Sequence, residues 1–186
     1  MKKIFFIVFL FLNQSQNIFS QEFKLQEAIN GLNSPWSLSF ISNDRVIATE
    51  KSGNLMLIDF NINEIKKIKH NLNILEDGQG GLLEVLYFKD QVFVSYSEDL
   101  KRGYSTTSVA KANFNENVLN FQNIFRAEPP INSGYHFGSR LVIKDNLLYI
   151  TAGERGKGMI AQDPLKHPGS IIRVHLDGEI PKDNPK

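Results

Sequence analysis

In the stretch WSLSFISNDRVIATEKSGNLMLI, residues 36–58, short apolar and β-branched runs alternate with clusters of turn-forming residues. Turn residues at 42–44 and 51–54 divide it into three strand-sized pieces, and a fourth apolar run follows at 65–68. Strands of this length joined by tight turns pair with their neighbours in the chain. The stretch therefore predicts one four-stranded antiparallel sheet.

The same pattern returns twice further along the chain. Comparable strand pairs recur around Arg45, Gln91 and Asn146, at intervals of 46 and 55 residues. The second unit would be completed by strands at 107–114 and 118–125, and the third by a strand at 171–176. Periods near this length are typical of β-propeller blades. The chain is therefore predicted to be all-β, with about three four-stranded blades of a propeller, although a sandwich of short strands has a similar pattern.

Three blades do not close a ring, so they leave sheet edges exposed at both ends. We therefore expect either that the polypeptide continues past Lys186 or that it has partners.

The N-terminus has the form of an export signal. Two lysines after Met1 precede nine unbroken apolar residues at 4–12, and polar residues at 13–17 interrupt the run before it reaches the length of a membrane span. We expect cleavage near Ser20, a mature domain at 21–186 and a periplasmic location without a stable membrane anchor. An N-terminal core helix is the alternative.

Composition narrows the classes of function. Without residues 1–20 the chain has 19 basic and 20 acidic side chains, so no nucleic-acid partner is expected. It has no cysteine, which excludes thiolate catalysis and cysteine-based metal centres. Its four histidines lack metal-ligand spacing, and no metal site is predicted within this chain.

Three glycine-containing loops carry candidate site residues. His136, in the loop 135–140, could act as a general base near neutral pH. Glu154, in the loop 153–158, could be brought beside His136 by antiparallel strands and orient the imidazole. Gln79 lies among three glycines at 77–83. A packed or surface histidine, a charged turn and a flexible hairpin loop are the respective alternatives.

Five motifs occur in one order along the chain. They are SPW at 34–36, GQGGLL at 78–83, HFGSRL at 136–141, GERG at 153–156, and AQD at 161–163 leading through HPG at 167–169 to DGEIPKDNP at 177–185. With these motifs in this order, the chain resembles the soluble PQQ-dependent aldose sugar dehydrogenases, which form the glucose/sorbosone dehydrogenase family.

That resemblance implies a six-bladed propeller that oxidises the anomeric hydroxyl of aldoses to a lactone, with pyrroloquinoline quinone (PQQ) as hydride acceptor and an external electron acceptor. It implies that His136 is the base, that Glu154 stands where the family usually has an aspartate, and that Gln79 and Arg140 bind the cofactor. Calcium ligands and the remaining cofactor contacts would lie beyond residue 186. A non-catalytic exported propeller that binds glycans or proteins is the alternative function.

The export signal gives a first prediction. Expression in a Gram-negative host should yield a periplasmic protein whose first residue lies near Gln21, because the basic start and apolar run direct export and cleavage. N-terminal sequencing of the purified protein measures this. Intact Met1 on soluble cytoplasmic material would contradict it.

Overall fold

A computed structural model describes residues 23–185, so the predicted export signal at 1–20 lies outside the described residues. The described chain is built from strands, with one short 3₁₀ helix at Gly158–Gln162. Between residues 23 and 185 no helix has the length and apolar character needed to cross a membrane. The predicted all-β class is confirmed.

Twelve strands follow one another along the chain. They are β1 (Pro35–Phe40), β2 (Arg45–Glu50), β3 (Leu55–Asp59), β4 (Glu64–His70), β5 (Leu82–Phe88), β6 (Gln91–Asp99), β7 (Ser105–Asn113), β8 (Val118–Leu119), β9 (Gln122–Arg126), β10 (Gly138–Lys144), β11 (Leu147–Ala152) and β12 (Ile171–His175).

The strands form three sheets that follow the three sequence repeats. The first sheet has the order β1-β2-β3-β4-β8, the second β5-β6-β7-β9, and the third β10-β11-β12. Neighbouring strands within each repeat pair antiparallel. Strand β5 of the second sheet contacts both β1 and β10. The sheets are therefore successive blades of a partial β-propeller, as predicted, and not a sandwich.

One predicted strand is divided. The sequence indicated a single strand at 118–125, but β8 pairs parallel with β4 of the first sheet, whereas β9 completes the second. Phe121 lies between them, and the Asn71 side chain accepts a hydrogen bond from its N–H and donates one to its carbonyl oxygen. Because Phe121 is drawn into the core beside the buried Leu119, the chain leaves one sheet and joins the next.

A hydroxyl group joins the first sheet to the second. Thr49 of β2 accepts a hydrogen bond from the Ser37 N–H (3.1 Å) within its own sheet. It donates to the Leu83 carbonyl oxygen (2.6 Å) in the innermost strand of the next sheet. This buried contact satisfies backbone hydrogen-bonding groups at a β-bulge in β1. It also fixes the position of the second sheet relative to the first.

Ser95 of β6 repeats this contact between the second and third sheets. It accepts from the Glu84 N–H (3.0 Å) and donates to the Ser139 carbonyl oxygen (2.5 Å). The apolar cores lie beside these hydroxyls, with Phe93 and Leu141 packed in the second junction. Each junction thus combines an apolar interface with one hydroxyl that sets its register.

Hydrogen bonds to one buried carboxylate connect the strands of the second sheet. Glu98 in β6 is almost fully buried and accepts hydrogen bonds from Arg126 Nε (2.6 Å), Arg126 Nη2 (2.7 Å) and Ser108 Oγ (2.7 Å). Burial acts to raise the pKa of Glu98, but the hydrogen bonds from Arg126 and Ser108 outweigh it and leave that pKa lowered. The carboxylate therefore joins β6, β7 and β9.

Replacing this carboxylate should destabilise the fold. Glu98→Ala is expected to cost about 1.5–3 kcal/mol of unfolding free energy, because hydrogen bonds to a charged group are lost and the Ser108 hydroxyl stays buried. Chemical denaturation at pH 7 measures it. Asp183→Ala, which removes an exposed partner of Arg173, is the control and should cost little.

The lowered pKa also fixes the pH dependence of this loss. The contribution of Glu98 is present above its ordinary pKa of 4.5 and is lost as the pH falls through the lower folded-state value. The difference in unfolding free energy between wild type and Glu98→Ala should therefore become smaller at acidic pH. An equal gap at pH 7 and at pH 2 would contradict this account.

Candidate active site

Three loops from two neighbouring sheets meet at one end of the inner strands. The loop 77–81 leads into β5, the loop 133–137 leads into β10, and the loop 153–157 follows β11. The Gln79 N–H donates to the Gly134 carbonyl oxygen (2.7 Å), and the Gly153 N–H donates to the Phe137 carbonyl oxygen (3.1 Å). The structure thus brings together the loops that carry Gln79, His136 and Glu154.

His136 and Glu154 are in direct contact. The imidazole Nδ1 hydrogen-bonds to the Glu154 carboxylate Oε1, which also accepts the Gly156 N–H (3.1 Å). The hydrogen bond from His136 is the main reason that the pKa of Glu154 is lowered. Glu154 therefore reaches His136 despite the methylene that distinguishes it from an aspartate.

An ionised carboxylate at this position fixes the tautomer of the ring. Because Glu154 accepts only, the His136 Nδ1 must carry the proton in this hydrogen bond, and Nε2 of the neutral ring keeps its lone pair. The His136 side chain is 52% exposed, whereas that of Glu154 is 27% exposed. The imidazole is therefore the more exposed member of the pair, and the carboxylate lies on its Nδ1 side.

Gln79 holds the backbone of the same loop. Its side-chain Oε1 accepts the His136 N–H at 2.8 Å, which leaves the amide NH₂ as a donor. A Cβ added at Gly78, where φ is +55°, would lie 2.5 Å from the Gly134 carbonyl oxygen. Glycine at that position lets the two loops touch, so the glycine cluster noted in the sequence serves close packing between loops.

The backbone at His136 has a left-handed conformation, with φ of 49°. A non-glycine residue keeps such a conformation when its neighbours are fixed. The next residue, Phe137, is buried, and its carbonyl oxygen accepts hydrogen bonds from the Thr107 hydroxyl (2.7 Å) and the Gly153 N–H. Hydrogen bonds at the His136 N–H and at the Phe137 carbonyl oxygen therefore fix the backbone that orients the imidazole.

Arg155 is a residue of this site that the sequence did not indicate. Its guanidinium is buried and lies 3.6 Å from the centre of the Phe137 ring. Burial lowers the pKa of Arg155 to about 10. No local pattern in the GERG segment distinguishes this buried arginine from one in an exposed charged turn.

The hydrogen bonds of Arg155 connect the His136 loop, residues 133–137, to the second sheet. Nε donates to the Tyr135 carbonyl oxygen (2.9 Å), and Nη2 donates to the Ser133 carbonyl oxygen. Nη1 and Nη2 also donate to the carbonyl oxygen (3.0 Å) and the hydroxyl (2.9 Å) of Ser105 in β7. Arg155 thus fastens the loop in front of His136 while Glu154, its chain neighbour, contacts the imidazole.

Arg140 lies apart from these three side chains. It is exposed on β10, and its Nη1 pairs with Glu84 Oε2 at 2.5 Å. Glu84 also accepts a hydrogen bond from the Ser37 hydroxyl (2.6 Å), so the carboxylate links the inner strands of all three sheets. No hydrogen bond in the described part of the chain joins Arg140 to His136, Gln79 or Glu154.

Within residues 23–185, no three histidine or carboxylate side chains come close enough together to hold a metal ion.

The sequence of this chain matches a known protein family and known relatives. The glucose/sorbosone dehydrogenase family model matches residues 32–186. The chain is 32% identical over 164 residues to the aldose sugar dehydrogenase YliI of Escherichia coli K12, which covers 83% of this chain and 44% of the relative. It is 25% identical over 202 residues to quinoprotein glucose dehydrogenase B of Acinetobacter calcoaceticus, covering 89% of this chain and 42% of the relative.

A solved structure agrees with these sequence matches. A crystal structure of a glucose dehydrogenase superimposes with a TM-score of 0.81 at 31% identity, over 86% of this chain and 49% of the other. The chain thus spans about half the length of the relatives that it matches. Since the family model matches residues 32–186, which is most of the chain, the chain belongs to the glucose/sorbosone dehydrogenase family.

Proposed function

We propose that this chain is the base-bearing half of a PQQ-dependent aldose sugar dehydrogenase. The observation that carries the proposal is the contact between His136 and the Glu154 carboxylate, which leaves Nε2 of a half-exposed imidazole with its lone pair. A histidine oriented in this way by a carboxylate is the arrangement that a general base needs. Membership of a family of sugar dehydrogenases, one relative of which is named a quinoprotein, supports the substrate class and the cofactor.

The exposed groups of the site fit one side of PQQ, a flat and polyanionic quinone. The Gln79 amide NH₂ is a donor without a hydrogen-bond partner among the described residues, and the Tyr135 ring is exposed next to His136. Lys51 reaches the Gln79 loop, where its Nζ donates to the Gly78 carbonyl oxygen (2.6 Å). These residues offer a hydrogen bond, an aromatic surface and a cation. Arg140 stays a predicted cofactor contact on the resemblance alone.

Bound PQQ would supply the two-electron acceptor, taking hydride from the anomeric carbon of the sugar. The His136 Nε2 would remove the proton of the anomeric hydroxyl, so that a carbonyl can form as hydride leaves. The imidazolium that results is stabilised by Glu154, whose pKa is lowered by His136 and which stays ionised at neutral pH. Gln79 keeps the His136 backbone in place during this step through its 2.8 Å hydrogen bond.

The remaining parts of the proposal extend the resemblance. The calcium ligands, the other PQQ contacts and the contact with an external electron acceptor would come from the part of the relatives that this chain does not cover. The N-terminal pattern supports delivery to the periplasm, where aldoses would be oxidised outside the cytoplasm.

The function is tested in a chimera that joins residues 32–186 to the complementary half of the E. coli aldose sugar dehydrogenase. His136→Ala should lower kcat by about 10²–10⁴-fold, the usual contribution of general-base assistance. PQQ binding, followed by its absorbance, should change little. His175→Ala, at an exposed histidine in β12, is the matched control and should leave kcat unchanged.

Gln79→Ala gives the contrasting result. It should weaken PQQ binding first, since it removes a donor to the cofactor as well as the acceptor for the His136 N–H. If His136→Ala kept near-parental turnover on every aldose tried, His136 would not be the base. If the unmutated chimera bound PQQ but oxidised no aldose, the substrate class would be wrong.

A further inference from the structure

Arg155 is a buried cation whose hydrogen-bond acceptors are all neutral. Its guanidinium donates to the carbonyl oxygens of Tyr135, Ser133 and Ser105 and to the Ser105 hydroxyl. Burial lowers the pKa of Arg155 to about 10, and the charge of Asp77, which acts to raise it, does not offset this effect. A buried charge is costly unless it is both paired and hydrogen-bonded, and in the described part of the chain Arg155 has only the hydrogen bonds. An ion pair therefore does not explain its place in the fold.

The peptide group that joins Tyr135 to His136 is held at both of its polar atoms. Its carbonyl oxygen accepts a hydrogen bond from Arg155 Nε (2.9 Å), and its N–H donates to Gln79 Oε1 (2.8 Å). The orientation of this peptide plane sets the φ angle of His136, which is 49°. The left-handed region is narrow for a residue with a side chain, so the neighbours must hold this conformation. Arg155 is therefore one of two side chains that fix the backbone of His136.

The other end of the guanidinium is anchored in the second sheet. Its Nη1 and Nη2 donate to the carbonyl oxygen (3.0 Å) and the hydroxyl (2.9 Å) of Ser105, the first residue of β7. Ser105 in turn exchanges two backbone hydrogen bonds with Ile131 (3.0 and 3.2 Å). A guanidinium is planar and carries its donors in a fixed fork. It therefore sets the distance between β7 and the peptide group before His136.

Two adjacent residues thus contact His136 at different points, since Glu154 accepts from the ring and Arg155 holds the backbone. We propose that Arg155 is a positioning residue for His136, which keeps the imidazole in contact with Glu154 and its Nε2 at the place where the sugar hydroxyl binds. The fork of donors does this, and a lysine would supply the charge alone. Only the effect of Arg155 on turnover rests on the function proposed for His136.

The positioning is tested without turnover, by nitrogen-15 NMR of the imidazole in the chain itself. Arg155→Lys keeps a cation but loses the fork, so the backbone at His136 is released and the ring loses its contact with Glu154. The preference for a protonated Nδ1 at neutral pH should therefore be lost. Arg45→Lys is the matched control, since it makes the same change at a guanidinium that contacts Asp59 in β3, and should leave the ring unchanged.

Chemical rescue in the chimera tests the effect on turnover. Arg155→Ala leaves a space bounded by neutral acceptors and the Phe137 ring. It should lower kcat by about 10²-fold, the cost of a misplacement of about 1 Å, while KM for the aldose and the affinity for PQQ change little. Millimolar methylguanidinium should raise kcat again, whereas methylammonium at the same ionic strength should not, because only the first carries the fork.

The two measurements separate a failure of this inference from a failure of the proposed function. If His136→Ala keeps parental turnover, the proposed function fails, and the NMR result for Arg155→Lys still decides whether Arg155 positions the ring. An unchanged His136 tautomer in Arg155→Lys would overturn the inference, as would an Arg155→Lys chain that does not fold, since that result assigns Arg155 to stability. Equal rescue by both cations, or loss of PQQ binding in parallel with kcat, would also contradict it.

Discussion

Every sheet in this protein has two apolar faces, and the need to cover both of them organises the structure. The interface between the second and third sheets shows how this is met, with Phe93 and Val109 packed on Leu141 and the Ser95 hydroxyl bonded to the Ser139 carbonyl oxygen. The apolar surface supplies most of the free energy, because burial removes it from water. The hydroxyl adds little energy but fixes the register of one sheet on the next.

The geometry of the candidate site depends on that register. Gln79 precedes the second sheet, while His136 and Glu154 belong to loops of the third, so a shift of one sheet along the other would separate them. The two adjacent charged residues Glu154 and Arg155 have different roles in this site. Arg155 is buried and fixes the His136 loop through backbone carbonyl oxygens, whereas Glu154 is partly exposed and contacts the imidazole. Rigid support of this kind keeps the imidazole in one position, as the proposed role of His136 requires.

The sequence predicted most of the strands and the pairing of His136 with Glu154, because strand periodicity and turn residues are local signals and antiparallel neighbours return to the same end of a sheet. It did not predict the division of the strand at 118–125, which Asn71 imposes from a distant part of the chain. It also missed Arg155, since the burial of a guanidinium is decided by the Phe137 ring and by strand β7. Such contacts are tertiary and leave no periodic trace.

The central claim is that Glu154 holds the half-exposed His136 ring with its proton on Nδ1 and its lone pair on Nε2. Nitrogen-15 NMR of the imidazole at neutral pH tests it most directly, because the protonated and unprotonated ring nitrogens have distinct chemical shifts. The account predicts a protonated Nδ1 and an unprotonated Nε2 for His136, and loss of this preference in Glu154→Ala. A proton on Nε2 in the wild-type protein, or the same tautomer with and without the carboxylate, would contradict it.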